Sequence, residues 1–341
     1  MSNLDKFING FLSYYFIVEV ADAHYGDLDR AKRMIERSIG VGAQAVKFQH
    51  HIPAEEMLRE VPQSKNMKEP LYDFLVKNAL KINQHIELAN YCKQLQIDYL
   101  CTPFSWAAAQ ELEDAVSPIA YKIGSGELLD HPTILKIMSF NKPMVLSTGM
   151  STESEIKSSY NLFLNFNKPL ILMNCTSAYP PSFSELHLKF IARMIKEFPR
   201  AIIGHSDHTP GIESTLAAYT LGAKVFEKHL TDDEDLIGPD SEVSISFTNL
   251  KNLINGLDNL TLALNSDKQI HPSENEIRAW AHRSLVYLKS LNKGDVIQEG
   301  DIWGKRPGTG VPSRYIHNYM GKTLIKSVMA DTLLSDSDFA K

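Results

Sequence analysis

Short runs of β-branched and aromatic residues alternate with helical patterns between residues 16 and 264. Strands are expected at Phe16 to Val20, Ala45 to Phe48, Asp98 to Cys101, Ala120 to Ile123, Met144 to Ser147, Leu170 to Asn174, Ala201 to Gly204 and Lys224 to His229. Each run is followed by apolar residues at helical spacing. In the first such stretch Leu28, Ala31, Met34, Ile35 and Ile39 share one face, with Asp29, Arg30, Lys32, Arg33 and Glu36 opposite. The stretch opening near Pro132 repeats the pattern with Ile134, Leu135, Ile137 and Met138. Eight βα units in succession predict an α/β chain built as a (β/α)8 TIM barrel rather than a doubly wound sheet. The connection from Gln49 to Ile82 is long for such a unit, so it is expected to cover the barrel mouth as a partly helical loop.

The periodicity stops at Asn265. The expected division is a barrel over residues 1–264, a polar linker over 265–280 and a compact, mostly β module over 281–341. Within the module, Lys293-Gly294-Asp295-Val296-Ile297 with Asp301-Ile302 is weakly repeated by Met329-Ala330-Asp331-Thr332-Leu333-Leu334 with Asp338-Phe339. A β module of this size is marginal alone and is expected to rest on another surface.

Composition narrows the class. With 341 residues, 43% of them hydrophobic, the chain can bury one large core and a small second one. A formal charge of -6 with no basic stripe argues against a nucleic-acid binder that neutralises phosphates broadly. Cys92, Cys101 and Cys175 are odd in number and lie in apolar segments, as buried thiols of a reducing compartment do. The apolar run Phe11 to Val18 is too short to span a bilayer and has no basic region before it. No membrane attachment is therefore expected, and the chain is expected to be cytoplasmic.

In a (β/α)8 barrel, functional groups sit where the strands end. Those positions here are Glu19, Lys47 with Gln49, Thr102, Lys122 with Ser125 and Glu127, Ser147 with Thr148, Ser177 with Tyr179, Ser206 with His208, and His229. His208 and His229 close consecutive parallel strands, close enough for both imidazoles to reach one ion. Lys47 and Lys122, joined by the hydroxyls of Thr102, Ser125 and Ser147, form a site for a small, multiply charged anion such as a phosphate ester. Glu127 is placed to orient a metal-bound water or move a proton. Asp240, just past the last strand, suits either sugar hydroxyls or its own turn.

These motifs in this order resemble the sialic acid synthase family, which condenses phosphoenolpyruvate with an N-acylated hexose. The likeness rests on Val18-Glu19-Val20 with His24 and Gly26, Val46-Lys47-Phe48-Gln49, Thr102-Pro103-Phe104, Lys122-Ile123-Gly124-Ser125-Gly126-Glu127 and Ser147-Thr148-Gly149-Met150. It continues through Cys175-Thr176-Ser177-Ala178-Tyr179-Pro180, Ser206-Asp207-His208-Thr209, Glu227-Lys228-His229 and Gly238-Pro239-Asp240. Lys305-Arg306-Pro307-Gly308-Thr309-Gly310 and the weak repeat are similar to that family's antifreeze-like (SAF) module.

The resemblance implies that His208 and His229 hold a divalent ion, Mn2+ or Mg2+, with Glu127 near it through water and Glu19 as the first-strand acid. It implies phosphoenolpyruvate on Lys47, Thr102, Lys122, Ser125, Ser147, Ser177 and Ser206, and the sugar on Gln49, Tyr179, Asp240 and Arg306. Arg306 is implied to come from the other subunit of a domain-swapped homodimer. Two motifs depart from the family pattern. Ala23-His24-Tyr25-Gly26 stands where Asn-His-Asn-Gly is usual, and Ser241-Glu242 where His-Lys is frequent. Both lie near the implied sugar site and leave the acceptor open between N-acetylmannosamine and a diacetamido-trideoxy hexose. Ser125-Gly126-Glu127 favours sialic or legionaminic over pseudaminic acceptors. Two rival readings are a Schiff-base aldolase of the same fold with Lys122 as nucleophile, and a barrel that binds carbohydrate without catalysis.

Overall fold

The computed structural model describes residues 1–62, 67, 69–231 and 240–340. They form two compact units, Met1–Asn265 and Ser266–Lys341. The first is a closed parallel barrel of β1 (Tyr15–Glu19), β2 (Ala45–His50), β3 (Asp98–Pro103), β4 (Tyr121–Ile123), β5 (Met144–Ser147), β6 (Leu170–Cys175), β7 (Ala201–Asp207) and β8 (Val225–His229), in that order around the ring. β8 closes on β1, setting Glu19 level with His229 on one side and with Lys47 of β2 on the other. The expected barrel and all its strands are present. Several strands run further than their apolar residues do, β2 to His50 and β7 to Asp207.

The outward-facing residues of the strands make the main core with the surrounding helices. The first of these, Leu28–Val41, starts on Asp27, whose side chain accepts from Asp29 N and Arg30 N, and ends at Gly42 in the left-handed region at φ 96. It buries Ala31, Met34 and Ile35, whereas Ile39 of the expected face is 36% exposed, about 40° further around the helix than Ile35. In the helix His131–Met138, Ile134 and Ile137 are buried and Leu135 is likewise turned outward, 51% exposed.

The inward-facing residues form two layers. The lower one joins Tyr15, Ile17, Ala45, Leu100, Ala120, Val145, Ile171, Met173 and Val225 with Leu4 and Phe7. Leu4 and Phe7 lie on a short helix, Asn3–Ile8, which the sequence pattern did not announce. Asp98 holds it: its carboxylate accepts from Asn3 N at 3.0 Å, Leu4 N at 2.6 Å and the Tyr15 hydroxyl at 2.9 Å. The long connection after β2 contains the helices Pro53–Glu56 and Leu71–Asn78, and Met57, Leu71 and Leu75 from it line the barrel mouth. Cys92, Cys101 and Cys175 are buried free thiols, as expected. Among the described residues no helix is long and apolar enough to cross a membrane.

In the second unit, the stretch read as a linker carries a 3-10 turn at Pro272–Glu274 and a helix at Asn275–Ala281. Its regular sheet is a single antiparallel pair, Ser284–Tyr287 with Ile302–Lys305, supplemented by isolated bridges. The weak sequence repeat reappears as matched geometry. Val296 and Leu333, equivalent in the repeat, each make an antiparallel bridge, to Thr323 and to Val286. Gly294 and Asp331 are both left-handed, at φ 92 and 58. Lys289 pairs with Asp301 and Lys326 with Asp338, each at 2.7 Å.

Candidate active site

A cavity of about 510 Å³ opens at the C-terminal ends of the barrel strands. Glu19, Lys47, Gln49, Thr102, Lys122, Ser125, Glu127, Ser147, Ser177, Tyr179, Ser206, His208, His229 and Asp240 all line it. Thr148 does not; its hydroxyl donates to the Met173 carbonyl at 2.9 Å and ties β5 to β6. Gly238 and Pro239 lie outside the described residues. Arg306 belongs to the second unit, where its Nε donates to the Ala281 carbonyl at 3.2 Å and its guanidinium lies 5.0 Å over the Trp280 ring.

At the floor sits a charged layer that alternation explains. Side chains two apart on a strand share a face, so Lys47, Lys122, Ser206 and Glu227 all point inward. Lys122 Nζ donates to both Glu227 oxygens, at 2.9 and 3.1 Å, and Ser206 Oγ donates to Glu227 Oε1 at 3.1 Å. Lys47 Nζ donates to Thr102 Oγ1 at 3.1 Å, is ion-paired with Glu19 and lies 3.7 Å from Glu227 Oε2. Burial works to raise the Glu227 carboxyl, but the Lys122 and Lys47 ammoniums outweigh it and hold the group below the usual carboxylate range. Burial likewise opposes the Lys47 ammonium, and Glu19 with Glu227 more than reverse it. Lys122 is therefore an ion-paired ammonium, the opposite of the isolated amine that a Schiff-base nucleophile needs.

Hydroxyls and a carboxyl complete the wall. Ser147 Oγ is buried without a hydrogen-bond partner. Ser125 Oγ accepts from Gly149 N at 3.1 Å, and a Cβ at Gly149 would sit 2.1 Å from Ser177 Oγ, so glycine lets both serines close on the β5 end. Glu127 Oε2 is buried and unpartnered, and burial raises its carboxyl.

Tyr179, His208 and His229 form an aromatic corner. The histidine centroids are 5.1 Å apart, and Tyr179 stacks on His208 at 4.6 Å. His208 Nδ1 lies 2.9 Å from the Thr176 carbonyl, which fixes its proton there and leaves Nε2 for another ligand. Burial disfavours the His208 cation, yet the adjoining Cys175 sulfur and the Thr176 carbonyl favour it and raise the ring to about 9, so a metal bound at Nε2 would compete with a proton. His229 Nδ1 is buried, makes no hydrogen bond and lies 3.5 Å from Asp240 Oδ2. Among the described residues no three His, Cys, Asp or Glu side chains are grouped to hold a metal. The pair suits an open, catalytic type of metal site completed by water or substrate rather than a closed structural one.

Asp22, His51, Glu56, Phe104, Cys175 and Glu227 also line the cavity, although none is among the strand-end residues singled out from the sequence. Glu227 was legible in principle, two positions before His229 on the same inward face. Asp22 lies beyond β1, and burial, with Asp240, Glu19 and Glu56 adding to it against His51, raises its carboxyl to about 7.

Comparison with known proteins places this geometry. The model of the NeuB family matches residues 34–269 and that of the SAF domain residues 282–340. The chain belongs to the NeuB family. It is 32% identical to N,N'-diacetyllegionaminic acid synthase of Campylobacter jejuni over 94% of its own length and 98% of that protein's. It is 30% identical to pseudaminic acid synthase of Helicobacter pylori, covering 95% of this chain and 97% of the relative. Among solved structures, N-acetylneuraminic acid synthetase of Leptospira borgpetersenii in complex with citrate superposes with a TM-score of 0.69 at 27% identity, over 78% of this chain and 90% of that one. This NeuB-family chain is thus a nonulosonate-type synthase with a C-terminal SAF domain.

Proposed function

We propose that the chain condenses phosphoenolpyruvate with the open-chain form of an N-acyl hexose, N-acetylmannosamine or a diacetamido-trideoxy hexose, to give a nine-carbon 2-keto acid and phosphate. The observation that carries this is the buried pair of ammoniums, Lys47 and Lys122, beside unpartnered Ser147 and the clustered hydroxyls of Thr102, Ser125, Ser177 and Ser206. An anion with two charged ends fits there. Lys47 and Lys122 offset charge already present on the phosphate and carboxylate, and Glu227 fixes where both ammoniums sit. C3 of phosphoenolpyruvate bonds to the aldehyde carbon while the aldehyde oxygen takes up a proton; water adds at C2 and the C2–O bond to phosphate breaks. Glu127 Oε2, buried and unpartnered, with its carboxyl raised by burial, is the group to deliver that proton. A divalent ion, Mn2+ or Mg2+, on His208 and His229 would stabilise charge developing on the acceptor oxygen.

Gln49, Tyr179 and Asp240 face the acceptor, and Glu19 anchors Lys47 from the first strand. Arg306, exposed and held over Trp280, serves the partner's barrel in a domain-swapped homodimer. The test is phosphate release from phosphoenolpyruvate with a panel of N-acyl hexoses in a manganese buffer. Release with at least one sugar, abolished by a chelator and restored by the ion, is expected. Phosphate release undiminished in chelator removes the metal role, and none with any hexose overturns the proposal. Trapping of pyruvate on Lys122 by borohydride would return the aldolase.

A further inference from the structure

On the segment that follows β2, His51 joins the cavity wall to the acceptor side of the site. Its Nδ1 lies 3.0 and 3.1 Å from the two carboxylate oxygens of Glu56, and its Nε2 lies 3.0 Å from Gln49 Oε1. The ring stacks on Phe104, with centroids 4.2 Å apart and planes 17° apart. Both His51 and Glu56 are buried, their side chains 7% and 3% exposed. Gln49 extends the chain, since its Nε2 donates to Glu19 Oε1 at 3.2 Å, and Glu19 is paired with Lys47.

The network fixes its own protons. If the Gln49 amide were turned over, its oxygen would face a Glu19 carboxylate oxygen, acceptor against acceptor, so the amide nitrogen must point to Glu19. The amide oxygen then faces His51 Nε2, which must carry a proton to donate. The proton between Nδ1 and Glu56 belongs to the imidazole, because a carboxyl is the stronger acid of the two. His51 is thus an imidazolium, bonded at both ends. The other titratable groups around it are the Asp22 and Glu127 carboxyls, which burial raises, and the imidazoles of His24, His50 and His85, which burial lowers.

We infer that His51, backed by Glu56, is a positioning residue that locks the Gln49 amide so that its free N–H is offered to the acceptor. The subsite then selects an acceptor presenting a carbonyl or hydroxyl oxygen, as an N-acyl hexose does, over one presenting an ammonium. The inference rests on the reading of Gln49 as an acceptor contact.

The test is a double-mutant cycle on the full chain with His51→Phe, which keeps the stack on Phe104, Gln49→Ala and the pair together. His51→Phe is expected to raise the acceptor KM about tenfold, the loss of one positioned hydrogen bond, with the KM for phosphoenolpyruvate changed much less. The double variant should be no worse than Gln49→Ala alone, because one residue acts through the other. Additive losses, or equal losses for both substrates, would overturn the inference. A readout that needs no turnover is nitrogen-15 NMR of histidine-labelled protein, with the His51 signals assigned from the Phe variant. Both ring nitrogens should be protonated at neutral pH in the wild type, and Glu56→Gln should leave one bare. A wild-type His51 with a bare nitrogen refutes the inference, whereas a wild type that turns over no hexose refutes only the functional reading above.

Discussion

The lower interior of the barrel is Ile17, Ala45, Leu100, Ala120, Val145 and Val225, whereas the next inward positions are Glu19, Lys47, Thr102, Lys122, Ser147 and Glu227. Two residues along each of these six strands, the same face changes from apolar to charged or hydroxylated. Below, the helix Asn3–Ile8 packs Leu4 and Phe7 against the apolar layer. Above, Lys47 and Lys122 stay buried because Glu19 and Glu227 compensate them. Stability and chemistry are therefore stacked along one axis, which is how a barrel can vary its upper layer without losing its fold.

The largest expected effect comes from breaking the upper layer by half. Lys122→Met should lose about 3–5 kcal/mol, since Glu227 is left buried with only Lys47 at 3.7 Å to compensate it. Lys122→Met with Glu227→Met should recover most of that stability, while phosphate release stays absent in both. Urea unfolding and the phosphate assay read the two quantities separately. A single variant as stable as wild type would mean that the pair does not couple. Next in size is the lower layer: Ile171→Ala should lose about 2–4 kcal/mol by leaving a cavity, yet leave the KM values for both substrates unchanged. A shift in those constants would show that the two layers are not separable.

The same contrast explains what the sequence revealed. All the barrel strands were legible because β-branched and aromatic runs mark them, and the ends of β2, β3 and β7 were set short where the interior turns polar. β2 was expected to stop at Phe48 but carries Gln49 and His50, and β7 was expected to stop at Gly204 but continues to Asp207. A reading keyed to hydrophobicity stops where the site begins. Glu227 lies inside the expected strand Lys224 to His229 but was given no role there, although its spacing from His229 places it inside the ring. The helix Asn3–Ile8 was invisible because its anchor, Asp98, is far off in sequence. His51 and Glu56 were hidden because loop residues carry no period; their roles come from a hydrogen-bond chain that only three dimensions disclose. In the second unit the repeat was legible as spacing, since its turns need Gly294 and Asp331 in the left-handed region and Asp301 and Asp338 to accept from the backbone N–H groups of Gln298 and Ser335.

The smallest expected effect lies in that unit and puts the comparison in its sharpest form. Lys289 and Lys326 each pair at 2.7 Å with a buried aspartate, Asp301 and Asp338, but their own side chains are 62% and 54% exposed. Water solvates these ammoniums in a way it does not solvate Lys122, whose side chain is 5% exposed. The aspartates also keep backbone partners when the lysine goes, Gln298 N at 2.9 Å for Asp301 and Ser335 N at 2.7 Å for Asp338. Lys289→Met and Lys326→Met should therefore each cost less than about 1 kcal/mol. The same substitution that disables the barrel when made at Lys122 should here be nearly silent. Because the two sites repeat one another and share no partner, the double variant should equal the sum of the singles. Urea unfolding of the full chain in a Trp106→Phe background, followed through the tryptophan signal of Trp280 and Trp303, reports this unit. A loss at Lys326 as large as that at Lys122 would show that the depth of the carboxylate, rather than of its cation, sets the energy of such a pair.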